Sequence, residues 1–170
     1  MRVAIVTISD SAFVAGGRND SSGTAIRHWC ERREDDIVSH DTVEDDASKI
    51  SALLASLCDS GAVDLVLSTG GTGLAPRDVT PEATLAVIER EASGIAEYLR
   101  AMAFDRMPRA ALSRGIAGVR GQTLIINLPG SVSGTQDGLG TLLPIIDHAI
   151  GILTGRITRH DTPVQGWAAI

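Results

Sequence analysis

Short apolar runs rich in β-branched residues alternate with helical patterns along the first hundred residues, and this alternation constrains the fold most strongly. The runs Val3–Ile8, Ile37–Val43 and Val63–Leu67 predict three buried strands. Asp20 and Asp46 precede segments with apolar residues at helical spacing, and they predict the starts of two intervening helices. Strands that alternate with helices need crossover connections, which place helices on both faces of a mostly parallel sheet. The chain is therefore predicted to be an α/β protein.

The second half of the chain predicts further helices and one antiparallel hairpin. Thr80 is predicted to cap a helix that reaches about Arg90. Leu112–Val119 and Thr123–Leu128 flank a turn that contains glycine, and this spacing favours a hairpin because glycine tolerates the positive φ that such turns need. A last helix with a broad apolar stripe is predicted near the end, and Pro144 within it is expected to kink it.

Length and composition bound the class of protein. The 170 residues are 44% hydrophobic and 21% charged, which predicts a single domain over 1–170, with residues 160–170 as a candidate tail extension. No apolar run approaches the roughly eighteen residues that span a bilayer. The chain opens on a strand pattern rather than on a signal peptide, so we expect a cytoplasmic protein with no membrane partner.

Charge and cysteine usage exclude further classes. The net charge of −6 argues against nucleic-acid binding, which normally needs a basic face. Cys30 and Cys58 lie among apolar residues of helical segments and are predicted to be buried, reduced thiols. The four histidines show no metal-ligand spacing, so a zinc site is not expected.

Polar residues and glycines concentrate just after the predicted strands. The carboxyl ends of parallel strands meet at one edge of a sheet, and sheets of this kind bind ligands there. These segments are therefore predicted to share one rim, which is the candidate functional site. In chain order they are Ser9-Asp10-Ser11, Glu44-Asp45-Asp46, Gly70-Gly71-Thr72-Gly73, Arg77-Asp78 and Pro129-Gly130-Ser131.

The glycine loop, Gly70–Gly73, suits a phosphate, because glycines at a strand end let backbone N–H groups approach an anion closely. A tight connection from a strand to a helix explains the same pattern equally well. Two better-known phosphate motifs are absent. Lys49, the only lysine, does not stand in a Gly-Lys-Ser/Thr loop, and the dinucleotide fingerprint fails at Pro76.

Two acids on neighbouring rim loops are candidates for a shared cation. Mg²⁺ takes one or two carboxylates together with waters and substrate phosphates, an arrangement that nucleotidyl transfer needs. Asp45 and Asp78 offer such a pair. The alternative is that each acid simply forms a turn, although better helix caps, Asp46 and Thr80, stand beside them. Arg77 is equally consistent with a phosphate partner and with a solvated surface charge.

Two stretches of the sequence carry a specific resemblance. The first is TGGTGLAPRDVTPEAT at residues 69–84. The second combines LSR at 112–114, GVRG at 118–121 and INLPGS at 126–131, and weaker matches are Ile8-Ser9-Asp10 and Asp20–Gly23. Over residues 3–154 the chain resembles the MogA/MoaB family, which includes the G domain of gephyrin and its plant counterpart.

The resemblance implies a three-layer α/β/α sandwich with one antiparallel hairpin strand. It also implies a molybdopterin adenylyltransferase, an enzyme of molybdenum-cofactor biosynthesis that transfers AMP from Mg-ATP to the phosphate of molybdopterin and releases pyrophosphate. The expected partners are molybdopterin and ATP, two further copies of the chain in a homotrimer, and a molybdate-inserting enzyme downstream. A carrier or scaffold of the same fold that binds molybdopterin without catalysis is the alternative.

Matching positions in the family imply individual roles. Asp45 and Asp78 correspond to the catalytic, Mg²⁺-binding aspartates, and Glu44 and Asp46 leave open which neighbouring acid joins the metal. The positions implied to bind nucleotide or pterin are Ser9, Asp10, Gly70, Gly71, Thr72, Gly73, Arg77, Pro129, Gly130 and Ser131.

Overall fold

Six strands form the centre of the fold within residues 1–157, the part of the chain that the computed structural model describes. The candidate tail at 160–170 lies outside the described residues. The strands are β1 (Arg2–Ile8), β2 (Asp36–Val43), β3 (Leu65–Thr69), β4 (Arg90–Glu91), β5 (Ala117–Arg120) and β6 (Thr123–Leu128). The helices are α1 (Asp10–Val14), α2 (Ser21–Arg32), α3 (Ala47–Asp59), α4 (Thr80–Leu85), α5 (Ser93–Phe104), α6 (Val132–Leu142) and α7 (Ile146–Leu153), and a 3₁₀ turn occupies Pro108–Leu112.

The sheet has the order β2-β1-β3-β6-β5-β4. Its first four strands are parallel, whereas β5 pairs antiparallel with both β6 and β4. The predicted mostly parallel sheet with an antiparallel hairpin is therefore confirmed. A parallel arrangement requires the crossover helices that the alternating pattern predicted.

Alternate residues of the central strands feed two separate cores, one on each face of the sheet. Val3 and Ile5 of β1 pack on the face that α2, α6 and α7 cover, while Ala4 and Val6 pack on the face that α3 and α4 cover. This division follows from the two-residue period of a strand. Helices on both faces make the three-layer α/β/α sandwich that the resemblance implied.

The structure corrects three local predictions. The glycine pair Gly16-Gly17 predicts a loop over residues 9–19. Residues 10–14 instead form α1, because the hydroxyl of Ser9 caps this short helix by accepting from Ala12 N–H at 3.3 Å. Helix α4 ends at Leu85 rather than near Arg90, because Arg90 pairs with Val119 in the sheet. The strand expected from residue 112 begins only at residue 117, because the preceding segment forms the 3₁₀ turn.

Proline and cysteine behave as the sequence suggested. Pro144 falls between the end of α6 at Leu142 and the start of α7 at Ile146, so the last helical segment is divided in two. Cys30 and Cys58 are free and buried, and burial raises the pKa of their thiols to about 12 and about 11. Over residues 1–157, none of the helices combines the length and the apolar character needed to cross a membrane.

Candidate functional site

The predicted rim segments do lie at one edge of the sheet. Ile8 at the end of β1 pairs with Val43 at the end of β2, and Thr69 at the end of β3 pairs with Leu128 at the end of β6. These four strands are parallel, so their carboxyl ends point the same way. Four of the five polar segments therefore start directly beyond a strand end, on the same side of the molecule, and Arg77-Asp78 follows the glycine loop.

Two acids of adjacent loops hold each other through the backbone. The N–H of Asp10 donates to Oδ2 of Asp45 at 3.0 Å, and the N–H of Asp45 donates to Oδ1 of Asp10 at 3.1 Å. The N–H of Ser9 also donates to the carbonyl of Val43 at 2.9 Å, which joins the same two loops. A carboxylate that accepts backbone N–H groups is fixed in orientation, so Asp10 and Asp45 form a rigid acidic pair.

Arg77 is paired with Asp10 rather than free in solvent. Its Nε and a terminal nitrogen donate to the two carboxylate oxygens of Asp10 at 2.9 and 2.8 Å. These hydrogen bonds are the largest reason that the pKa of Asp10 lies below its usual value. The Arg77 side chain is still 66% exposed, so an anion arriving at the rim can reach it.

Asp45 has the opposite electrostatic setting. Burial is the largest cause that raises the pKa of Asp45, and the negative charges of Asp10 and Asp78 raise it further. The N–H of Asp10 and the charge of Arg77 lower it, but the net direction is upward. A cation bound beside this carboxylate would stabilise its ionised form.

The glycine loop is pressed against both the end of β1 and the acidic pair. Gly70 and Gly71 have φ values of +100° and +61°, which side-chain-bearing residues rarely adopt. A Cβ on Gly70 would lie 2.1 Å from the carbonyl oxygen of Ile8. A Cβ on Gly71 would lie 2.3 Å from Oγ1 of Thr80 and 3.1 Å from Oδ1 of Asp45. Only glycine fits at these two positions.

Asp78 lies against Gly73 of the glycine loop, whereas Asp45 lies against Gly71. A Cβ on Gly73 would lie 2.8 Å from Oδ2 of Asp78. The same carboxylate oxygen accepts the N–H of Ala75 at 2.8 Å, and the N–H of Asp78 donates to the carbonyl of Ala75 at 2.9 Å. Asp78 therefore closes a tight turn, as one of the two sequence interpretations held, and this turn fixes the acid beside the loop.

Thr80 does not cap α4 with its side chain. Val79 occupies the cap position and makes no side-chain cap hydrogen bond. The hydroxyl of Thr80 is fully buried and donates to the carbonyl of Gly70 at 2.8 Å, while its N–H donates to the carbonyl of Gly71 at 3.1 Å. The start of α4 is thus fastened to the glycine loop rather than to itself.

Arg114 ties the glycine loop and the Asp78 turn together. Its Nε donates to the carbonyl of Gly73 at 2.7 Å, and its terminal nitrogens reach the carbonyl of Asp78 and the carboxylate of Glu82. Its backbone N–H donates to the carbonyl of Thr72 at 2.8 Å. The sequence placed Arg114 in a family-like stretch but gave it no role, because partners so far along the chain leave no local pattern.

A cleft of about 400 Å³ opens beside the loop, on the side of Asp78. One wall consists of predicted residues, namely Gly71, Thr72, Gly73, Asp78, Pro129, Gly130 and Ser131. The opposite wall comes from α5 and from the segment that leads to β5, and its residues include Leu99, Arg100, Met107, Arg109, Leu112 and Ser113. Sequence reasoning missed this second wall, because its mixture of apolar and basic residues resembles an ordinary amphipathic surface.

The segment after β6 completes the first wall. Ser131 caps α6, its Oγ accepting the N–H of Gly134 at 3.2 Å. The carbonyl of Pro129 accepts from the hydroxyls of Thr69 and Thr135, both at 2.7 Å. A Cβ on Gly130 would lie 3.1 Å from the Cα of Gly70, so this segment packs directly on the glycine loop.

Ser9 is the predicted site residue that the structure assigns most clearly to another task. Its hydroxyl caps α1 and lies 3.1 Å from the hydroxyl of Ser11. Glu44 and Asp46 are likewise engaged, Glu44 by Lys49 and Asp46 by the N–H groups at the start of α3. Of the three adjacent acids, Asp45 is therefore the one whose carboxylate faces Asp10 and the glycine loop.

The donor set of the rim fits a metal that arrives with phosphate ligands. Within residues 1–157, no group of three or more His, Cys, Asp or Glu side chains is placed to hold a metal ion on its own. Asp45 and Asp78 offer two carboxylates that lie against Gly71 and Gly73 of the glycine loop. Two carboxylates completed by waters and substrate phosphates are an ordinary protein site for Mg²⁺.

The known proteins similar to this chain include several of molybdopterin biosynthesis. A family model described as "Probable molybdopterin binding domain" matches residues 4–148. Over 157 residues the chain is 36% identical to the molybdopterin adenylyltransferase of Helicobacter pylori strain J99, a match that covers 91% of this chain and 89% of that protein. It is 51% identical over 92 residues to gephyrin of Dictyostelium discoideum, covering 54% of this chain but only 13% of gephyrin.

A solved structure shows the same fold at high identity. The molybdopterin biosynthesis enzyme MoaB of Thermus thermophilus superposes with a TM-score of 0.84 at 45% identity. The match covers 91% of this chain and 96% of that one, so the two proteins share the sandwich over almost their whole length.

Proposed function

This chain belongs to the family described as the probable molybdopterin binding domain, and we propose that it is a molybdopterin adenylyltransferase of molybdenum-cofactor biosynthesis. The observation that carries the proposal is the glycine loop, with Asp45 against Gly71, Asp78 against Gly73 and a cleft beside the loop. Such a loop suits a triphosphate with its cation, and the adjoining cleft suits a second substrate. The 36% identity to a molybdopterin adenylyltransferase over nearly its whole length supports the same activity.

The proposed reaction joins two phosphates. An oxygen of the molybdopterin phosphate attacks the α-phosphorus of ATP, and the bond from that phosphorus to the bridging oxygen breaks. The products are adenylyl-molybdopterin and pyrophosphate, and the enzyme forms no covalent intermediate. Reactions of this kind depend mainly on positioning and on stabilising the charge that develops on the leaving group.

Each part of the rim has a proposed task in that reaction. The cleft binds molybdopterin, with its phosphate directed toward the glycine loop. Within the Gly70–Gly73 loop, the backbone N–H groups of Gly71, Thr72 and Gly73 hold phosphate oxygens of ATP, while that of Gly70 donates to the carbonyl of Leu128 at 3.4 Å. Asp45 and Asp78 would hold Mg²⁺, which when bound offsets negative charge on the departing pyrophosphate.

Asp10 positions both Asp45 and Arg77 at the rim. Asp10 holds the backbone of Asp45 and pairs with Arg77, so it sets the position of one metal-binding acid and of one cation. When the triphosphate binds, the exposed guanidinium of Arg77 exchanges Asp10 for a phosphate oxygen, which offers similar fork geometry. Asp10 thereby keeps Arg77 close to where a phosphate will arrive.

The wider assembly is proposed from the same family membership. The protein forms a homotrimer and acts in the cytoplasm, where ATP is available. It passes its product to a molybdate-inserting enzyme. The match to gephyrin spans only 13% of that longer relative. The proposed activity therefore rests on the adenylyltransferases, which this chain matches over most of their length.

The test separates binding from turnover. Pyrophosphate release is measured with molybdopterin, ATP and Mg²⁺ for the wild type, for Asp78→Asn and for Asp59→Asn. Asp59 is the matched control, because this exposed acid also pairs with an arginine, Arg120, but lies at the C-terminal end of α3, whereas the rim lies at the N-terminal end of that helix. We expect the wild type to release pyrophosphate only when both substrates are present. In Asp78→Asn the rate of release should fall about 100-fold or more while molybdopterin still binds, and in Asp59→Asn the rate should be unchanged. Tight pterin binding by a wild type that releases no pyrophosphate would instead identify a carrier or scaffold.

A further inference from the structure

Arg114 connects two walls of the cleft, one of which carries the candidate metal-binding residue Asp78. Its immediate neighbours, Ser113 and Gly115, line the cleft. Its own side chain donates to the carbonyls of Gly73 and Asp78, the two ends of the segment that carries Asp78, and both of these residues line the cleft as well. Arg114 therefore joins two walls of the cleft, the one at residues 113–115 and the one that carries Asp78.

The cleft side of this connection is itself tied to a ligand-facing residue. Arg100, another residue of the cleft wall, donates to the carbonyl of Gly115 at 2.8 Å. The N–H of Gly115 donates to the hydroxyl of Ser113 at 3.3 Å. A ligand that engages Arg100 or Ser113 consequently acts on the backbone on both sides of Arg114.

The Arg114 side chain also contacts the segment that carries Asp78 directly. Three groups of Arg114 act on it: Nε on Gly73, one terminal nitrogen on Asp78 and the other on Glu82. Glu82 lies in the first turn of α4, and the hydrogen bond from Arg114 is the largest cause of its lowered pKa. The Arg114 side chain is 34% exposed, so its hydrogen bonds are partly shielded from water.

We propose that Arg114 is a positioning residue that couples occupation of the cleft to the placement of Asp78. A filled cleft fixes residues 113–115, Arg114 then holds the 73–78 segment in place, and the two acids become competent to bind Mg²⁺. The inference rests on the proposed function for the identity of the two ligands. Through this coupling, Mg-ATP binds in a productive geometry only when molybdopterin occupies the cleft.

The first test measures how the rate depends on Mg²⁺ in Arg114→Met and in Arg120→Met. Arg120 is a matched control, because it too binds a backbone carbonyl and a carboxylate, those of Val87 and Asp59, but at the end of the sheet away from the rim. Loss of a group that orients a metal ligand typically lowers metal affinity about 10- to 100-fold. We expect the Mg²⁺ concentration for half-maximal rate to rise by about that factor in Arg114→Met and to stay within about twofold in Arg120→Met.

The second test needs no turnover and therefore survives failure of the proposed function. Hydrogen exchange is followed at the amides of Ala75 and Asp78, with and without molybdopterin and in the absence of ATP and Mg²⁺. We expect molybdopterin to slow exchange at these amides in the wild type and in Arg120→Met, but not in Arg114→Met. Arg114→Lys, which keeps the charge but can donate along fewer directions, should give an intermediate response if the methionine variant does not fold.

Two results would overturn the coupling. Equal protection of the 73–78 amides by molybdopterin in wild type and folded Arg114 variants would show that the cleft acts without Arg114. An equal rise in the Mg²⁺ requirement for both methionine variants would show a general structural effect. A wild type with no adenylylation but with Arg114-dependent protection would sink the proposed activity while keeping the coupling.

Discussion

The most decisive local perturbation is Gly71→Ala, because two separate costs can be worked out at this position. The φ of +61° places the residue in the left-handed region, where a Cβ costs about 1–2 kcal/mol. The new Cβ would also lie 2.3 Å from Oγ1 of Thr80, which is buried and donates to the carbonyl of Gly70. Displacing that hydroxyl leaves a buried polar group unsatisfied, a further cost of about 1–3 kcal/mol. We expect a total loss of about 2–5 kcal/mol.

Gly121→Ala separates the two costs. Gly121 has a φ of +56°, and a Cβ there would meet nothing within 4 Å. It should therefore show only the backbone cost of about 1–2 kcal/mol. Both variants are compared with the wild type by urea unfolding, and the midpoint concentration and the slope are read together. Equal destabilisation by the two substitutions would contradict the close packing of the loop against Thr80.

Two further predictions concern buried polar side chains, those of Asp64 and Asn127. Burial raises the pKa of Asp64, but hydrogen bonds from Arg2 more than offset this, and its pKa lies below the usual value. Asp64 should contribute its full stabilisation at pH values above its unfolded pKa of about 3.9, and this stabilisation should be lost as the pH falls through its lower pKa in the folded protein. The difference in the free energy of unfolding between wild type and Asp64→Asn should therefore shrink as the pH falls between these two pKa values. Asn127→Leu should lower the free energy of unfolding, measured in urea, by about 1–3 kcal/mol. The reason is that the side-chain amide of Asn127 donates to the buried hydroxyls of Ser68 and Thr84 at 2.9 and 3.0 Å. An Asn127→Leu variant as stable as the wild type, or an Asp64→Asn difference that does not vary with pH, would contradict these two assignments.

The parts of the fold that local chemistry encodes were accessible from the sequence. The apolar runs indicated β1, β2, β3 and β6, and for β1, β3 and β6 burial on both faces leaves a continuous hydrophobic signal. The rim followed from parallel strands, since their carboxyl ends must meet. Glycines at residues 70 and 71 could be singled out because only they tolerate the backbone conformation found there.

The parts that depend on distant contacts were not accessible. Arg114 acts on Asp78, 36 residues away, and its local sequence carries no mark of that contact. The wall of the cleft formed by α5 and the 3₁₀ turn has the composition of a surface helix. Thr80 was expected to cap a helix because threonine is common there, but its hydroxyl finds a better partner in the adjoining loop. Propensity gives way to tertiary packing in each case.

The decisive step of the proposed function is the movement of AMP from ATP to the phosphate of molybdopterin. To follow that step, the wild-type protein is incubated with molybdopterin, Mg²⁺ and ATP labelled on either the α- or the γ-phosphate, and the label is located by mass and chromatography. We expect the α label in a pterin product heavier by AMP, and the γ label in pyrophosphate. Label that remains in ATP, or γ label that is found on the pterin, would show that the chain does not carry out this transfer.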